Sequence, residues 1–126
     1  MKKAIHLIDA APPIAPYTPA IEAGGLIFLS GQIALDPKTG DLKLEDIETE
    51  TRQVMENIGA LLKAAGLGFD HLVKVTIFMS DMAHYGKVNE IYGSYFENDP
   101  PAREAVAVKT LPRNVNVEIS GIASRG

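Results

Sequence analysis

EDIETETRQVMENIGALLKAAGLGFDHLVKVTIFM, residues 45–79, holds the transition on which the fold turns. Ile47, Thr51, Val54, Ile58, Leu61 and Ala65 recur at spacings of four and three, which places them on one face of a helix. Glu45, Asp46, Glu48 and Glu50 crowd its first turns, where the helix dipole favours negative charge. This acidic run reads as a helix start and not a metal cage, because neighbouring positions point in different directions around a helix. Gly66 suits the left-handed residue that ends a helix. After a short link the period changes to two. His71 to Met79 reads as a strand, with Val73, Val75, Ile77 and Met79 on one face and Leu72, Lys74, Thr76 and Phe78 on the other.

Downstream, Ser80 or Asp81 is placed to cap a second helix. Its apolar stripe is Met82, Tyr85, Val88, Ile91, Tyr92 and Tyr95, and Asn98-Asp99-Pro100-Pro101 stops it. Two late strands follow, over 102–109 and 115–123, joined by Leu111-Pro112-Arg113-Asn114. Upstream, strands are expected at 4–8, 20–23 and 26–29, the last two forming a hairpin about Gly24-Gly25. Ala10 to Pro19, with prolines at 12, 13, 16 and 19, reads as an extended loop, since proline fixes φ and removes a donor. Asp36 to Gly40 has the residues of a turn. The order β-β-β-α-β-α-β-β predicts an α+β domain, two helices packed on one face of a mixed sheet. The strands are apolar on both faces: Val106 and Val108 oppose Ala105 and Ala107, and Phe78 opposes Ile77. A monomer would leave the second face in water, so a homo-oligomer is expected to cover it.

At 126 residues the chain is expected to form one domain, residues 1–126, and 46% hydrophobic composition is enough for a core. Cysteine is absent, which excludes thiol nucleophiles, disulfides and thiolate metal sites. The net charge is −4 and the pI about 5.3, which argues against a nucleic-acid partner. The apolar run after Lys2 and Lys3 is broken by His6 and Asp9, so neither a signal peptide nor a membrane span is expected, and the reading is cytoplasmic. His6, His71 and His84 lack metal-ligand spacing. No Gly-x-Ser-x-Gly elbow or Walker loop occurs, and Gly66-Leu67-Gly68 lacks the third glycine of a dinucleotide loop. Neither metal nor cofactor is expected.

Two charges stand against their surroundings. Arg103 opens an apolar strand and Glu118 sits inside another. Alternation puts Arg103, Ala105 and Ala107 on one face, and Asn116, Glu118 and Ser120 on one face of the last strand. If those strands pair with matching faces, a guanidinium and a carboxylate look into one partly apolar space. One reading is a plain Arg103–Glu118 ion pair. The other is a small-carboxylate site: a planar arginine grips a carboxylate through two parallel bonds, a glutamate handles a proton or a water, and small Ala105 and Ala107 leave room.

Pro101-Ala102-Arg103, Leu111-Pro112 and Val117-Glu118-Ile119 resemble the C-terminal signature of the RidA/YjgF reactive-intermediate deaminases. Ala15-Pro16-Tyr17 is similar to that family's Gly-Pro-Tyr loop, and Leu29-Ser30-Gly31-Gln32 to its Ser-Gly-Gln strand end. Thr51-Arg52-Gln53 with Asn57, and Val88-Asn89-Glu90-Ile91-Tyr92, lie in the matching helices. The resemblance implies a chorismate-mutase-like fold, a homotrimer with sites between subunits, and cofactor-independent hydrolysis of 2-imino acids to 2-oxo acids and ammonia. It implies that Arg103 binds the substrate carboxylate, that Glu118 handles water and proton, and that Tyr17 offers a hydroxyl. Ser30, Gly31, Asn89 and the backbone at Ala105 would fix orientation. Ala105 stands where many members have cysteine. A metabolite-binding module without turnover, and an RNA-directed translation inhibitor or ribonuclease, are the alternatives.

Overall fold

Helix α1 spans Ile47–Ala64. Asp46 begins it by accepting a 2.7 Å hydrogen bond from the Thr49 amide, which satisfies one of the four orphan donors of the first turn. The same bond holds the Asp46 carboxyl below its ordinary value. At the other end the Leu67 amide donates to the Leu62 carbonyl and the Gly66 amide to Lys63. That pair of bonds needs a left-handed residue at Gly66, whose φ is +78°.

The computed structural model describes residues 1–7, 13 and 15–126. Ile8, at the end of the expected first strand, and residues 10–12 and 14 of the Pro-rich segment lie outside the described residues. The strands are β1 (Lys3–Ile5), β2 (Ala20–Ala23), β3 (Leu26–Gln32), β4 (Leu72–Met79), β5 (Ala102–Ala107) and β6 (Val117–Ser124); the second helix, α2, is Tyr85–Gly93. They form a six-stranded sheet in the order β1-β2-β3-β6-β4-β5. Gly24 and Gly25, both at positive φ, make the two-residue turn of the β2–β3 hairpin.

The last two strands do not pair with each other. β6 runs antiparallel between β3 and β4, and β5 lies parallel to β4 at the sheet edge. The reason is the α2 crossover: a chain that leaves β4 through a helix re-enters the sheet parallel to it. Two irregularities also escape strict alternation. β4 shifts register between Leu72 and Lys74, so Leu72 is buried and Val73 is 47% exposed, the reverse of the period-two expectation. β3 continues to Gln32 rather than ending at Leu29, with a second shift between those two residues.

One face of the sheet forms the core. Ile27, Leu29, Val75, Ile77, Met79, Val117 and Ile119 pack there with Val54, Met55, Ile58, Leu61 and Leu62 of α1 and Val88 and Tyr92 of α2. α2 is shorter than its stripe suggested. Met82–His84 form a 3-10 turn capped by Asp81, and Met82 and Tyr85 are exposed. Among the described residues the opposite face is bare, leaving Phe28 42% and Val106 43% exposed.

α1 also buries polar groups. Glu50, read from the sequence as one of the acids that favour the helix start, has 0% exposure. It is four residues before Val54, hence on the core stripe. Its Oε2 accepts from the backbone amides of Asn116 (2.7 Å) and Val117 (3.0 Å), and its Oε1 from Asn116 Nδ2 (2.8 Å). Asn57 Nδ2 donates to the carbonyls of Ile33 and Leu35. The helix thus grips the chain just after β3 and just before β6.

Candidate functional site

Glu118 is half-buried on β6, with Phe78 as its partner on β4. Side chains of paired residues share a face, so Glu118 belongs to the bare face with Phe78, not to the core face of Ile77 and Ile119. Burial pushes its carboxyl above 4.5. Gly31 lies beneath the carboxylate: a Cβ there would meet Glu118 Oε2 at 2.6 Å and Cδ at 2.8 Å. Gly31→Ala is therefore expected to leave the fold intact, since the end of a flexible side chain can shift. It should displace the carboxylate by about 1 Å, a shift that costs about 10²-fold in rate wherever such a group serves a reaction. Thermal denaturation and the Glu118 side-chain carboxyl NMR signal together check this; an unmoved signal contradicts it.

Ser30 precedes Gly31. Its amide donates to the Pro19 carbonyl (2.9 Å) and its hydroxyl to the Thr18 carbonyl (2.6 Å). The hydroxyl proton is thus committed to holding the loop, and toward a ligand Oγ can only accept. The tether brings the backbone beside Tyr17 to the β3 irregularity, and the Tyr17 side chain is 53% exposed. Ser30, Gly31 and Glu118 make one cluster, with the backbone next to Tyr17 tethered at its edge.

Arg103 belongs to a second. It pairs with Val75 on β4, and Ala105 pairs with Ile77, so both side chains lie on the helix-covered face. The Arg103 guanidinium sits beside two rings of α2, with Cζ 5.1 Å from the Tyr92 centroid and 5.7 Å from that of Tyr85. Its Nη2 donates to the Tyr85 hydroxyl at 3.2 Å. Asn89, on the same helix, has a buried Oδ1 without a hydrogen-bond partner among the described residues, and the Tyr92 hydroxyl is in the same state. Burial pushes Tyr92 up to about 12, against the Arg103 charge, which lowers it. β5 is the sheet edge, so one row of its backbone groups, Ala105 among them, has no second strand to bond.

The two clusters do not meet within one chain. Arg103 aligns with Val75 and Glu118 with Phe78, on strands either side of β4. Three residues along and two strand spacings across separate their Cα atoms by roughly 14 Å, with the side chains on opposite faces. The simple ion pair is thus ruled out in one chain, and so is a shared space within it. Among the described residues no carboxylate lies within 4.0 Å of the Arg103 guanidinium.

Sequence reasoning assigned Tyr85 and Tyr92 to an apolar stripe and missed their contact with Arg103. A tyrosine at i and i+7 around Asn89 was the available signal. Among the described residues no group of three or more His, Asp or Glu side chains could hold a metal ion, and no helix is long and apolar enough to cross a membrane.

The raised Glu118 carboxyl has a stability consequence. Folding penalises its charged form, so its contribution is fully present below the unfolded value of 4.5 and is lost as pH rises through the higher folded value. Glu118→Gln is expected to raise Tm at pH 7, with the gain vanishing in acid below about pH 4. Melting curves across that range check it, and a lowered Tm at pH 7 contradicts it.

The endoribonuclease L-PSP family pattern matches residues 8–125. A RutC family protein of Pyrococcus horikoshii is 48% identical over 123 residues, 98% of each chain. The 2-iminobutanoate/2-iminopropanoate deaminase of Mus musculus is 42% identical over 126 residues, covering 100% of this chain and 93% of the mouse protein. The crystal structure of the YjgF gene product from E. coli superposes with a TM-score of 0.92 at 37% identity, covering 98% of this chain and 99% of that one. The match runs through both clusters, and the chain belongs to the endoribonuclease L-PSP family, also known as YjgF/RidA.

Proposed function

We propose that this protein hydrolyses reactive 2-imino acids, such as 2-iminobutanoate and 2-iminopropanoate, to the 2-oxo acid and ammonia. We further propose that it does so as a homotrimer in which the Arg103 cluster of one copy faces the Glu118 cluster of another. The observation that carries the reading is Arg103: a guanidinium held against two tyrosines of α2, with no carboxylate partner among the described residues, at a sheet edge. The bare face with Phe28 and Val106 gives a second copy a surface to cover. The mouse relative's name supports the substrate class.

In this scheme Arg103 binds the substrate carboxylate through paired N–H donors. Asn89 Oδ1, an acceptor without a partner among the described residues, takes the imine N–H. Glu118 removes a proton from water as its oxygen attacks the C=N carbon and passes it to nitrogen, giving a carbinolamine; it then carries the carbinolamine hydroxyl proton to the same nitrogen as ammonia leaves and C=O forms. One water is consumed, the C=N bond is replaced by C=O, and no redox change occurs. The raised Glu118 carboxyl suits a group that must both accept and donate. With no cysteine in the chain, no thiol adduct is available. The net charge of −4 weighs against an RNA substrate, despite the family's name.

The test is a threonine dehydratase reaction, which releases the imine, followed with and without this protein. Faster appearance of 2-oxobutanoate and ammonia is expected; an unchanged rate contradicts the proposal.

A further inference from the structure

We propose that Tyr85 is a positioning residue: with Tyr92 it forms an aromatic clamp that presets the Arg103 guanidinium before any carboxylate arrives. This rests on the reading of Arg103 as the carboxylate anchor. The two rings of the clamp differ in kind. Tyr92 is 4% exposed, its ring packed against Phe96 at 4.8 Å between centroids, so it is a fixed floor. Tyr85, at the start of α2, is 39% exposed and forms the outer jaw. A guanidinium lying over the Tyr92 ring keeps its hydrogen-bonding edges in plane, free for the Tyr85 hydroxyl and for a ligand. The Tyr85 hydroxyl then removes the remaining rotation by accepting from Nη2 at 3.2 Å. That bond uses one lone pair and leaves the phenolic proton unspent, beside the donors that would meet a carboxylate.

A long arginine on an edge strand would otherwise sample many rotamers, and ordering it would weaken each binding event. The clamp does that ordering in the free protein. Tyr85 should therefore act on substrate affinity and leave the chemical step, which Glu118 serves, largely alone. The ring supplies most of the effect and the hydroxyl the rest.

The test uses the full chain and two independent readouts. In ¹⁵N-edited NMR the Arg103 Nε–H, assigned by its loss in Arg103→Ala, is expected to be ring-shifted and slow to rotate. Tyr85→Leu should move it toward the position of an exposed arginine and speed its rotation, and Tyr85→Phe should leave it shifted. In the imine assay Tyr85→Phe should raise KM two- to threefold and Tyr85→Leu about tenfold, with kcat within about twofold in both. An Arg103 signal that already resembles an exposed arginine, or a KM unmoved by Tyr85→Leu, overturns the proposal. A Tyr85→Leu protein that loses Tm but keeps KM assigns Tyr85 a structural role only and overturns it too. An inactive wild-type protein with the shifted Nε–H present tells against the deaminase reading alone, because the NMR arm reads the clamp without substrate.

Discussion

Arg103→Ala is expected to lower kcat/KM for 2-iminobutanoate about 10²–10³-fold, the range found when one partner of a charged, hydrogen-bonded pair is truncated. The argument is geometric. Arg103 is the cation of its cluster, flanked by Tyr85, Tyr92 and the small Ala105, and a bound carboxylate would find no other described charge to replace it. Stability should change little. Arg103 is only half-buried, its one described polar partner is the exposed Tyr85 hydroxyl, and its strand is the sheet edge. Circular dichroism and size-exclusion profiles should match the wild type. Lysine at this position should rescue poorly, because a point charge neither stacks flat on a ring nor binds a carboxylate bidentately. Full activity in folded Arg103→Ala would remove the anchor from the account.

Glu50→Ala is expected to be the most damaging substitution for stability, at about 3 kcal/mol or more. Each buried donor left without a partner costs about 1–3 kcal/mol, and the backbone amides of Asn116 and Val117 would both be left so. The Asn116 side chain links this carboxylate to Ser80, whose hydroxyl donates to Asn116 Oδ1 at 3.1 Å and whose amide donates to the Asn116 carbonyl. The network therefore joins the start of β6, two residues before Glu118, to the junction between β4 and α2. Glu50→Gln should be tolerated within about 1 kcal/mol. Its carbonyl can accept both amides, and a flipped Asn116 can then accept from its NH₂ and donate to Ser80. Urea denaturation of the two variants checks the pair. A Glu50→Ala protein within 1 kcal/mol of wild type contradicts the account.

These two residues mark the boundary of what a single sequence discloses. Spacing alone places α1, because Ile47 through Ala65 keep one helical face, and Gly24-Gly25 places the hairpin. The same helical spacing put Glu50 on the core stripe, yet an acid in a first turn has a ready reading as a dipole partner. Its real partners, Asn116 and Val117, are remote in sequence and joined to it only by packing. The period of two marks β4 but not the register shift that exposes Val73, since one inserted residue inverts every neighbour. Arg103 and Glu118 are legible as misplaced charges in apolar strands. That they face opposite sides of the sheet is not, because it depends on β4 lying between their strands. Tyr85 and Tyr92 read equally well as core, and only the turn of α2 over β5 brings them to the guanidinium.

The separation of the two clusters makes the central claim open to one measurement. Arg103→Ala and Glu118→Gln proteins, each inactive alone, are unfolded together at equal concentration, refolded, and assayed for release of 2-oxobutanoate from 2-iminobutanoate. If each site takes Arg103 from one copy and Glu118 from a neighbour, random assembly leaves about a quarter of the sites with both groups intact. Activity should then return to roughly a quarter of the wild-type value. If one chain supplies both groups, or neither acts on the imine, the mixture will be no more active than its two components.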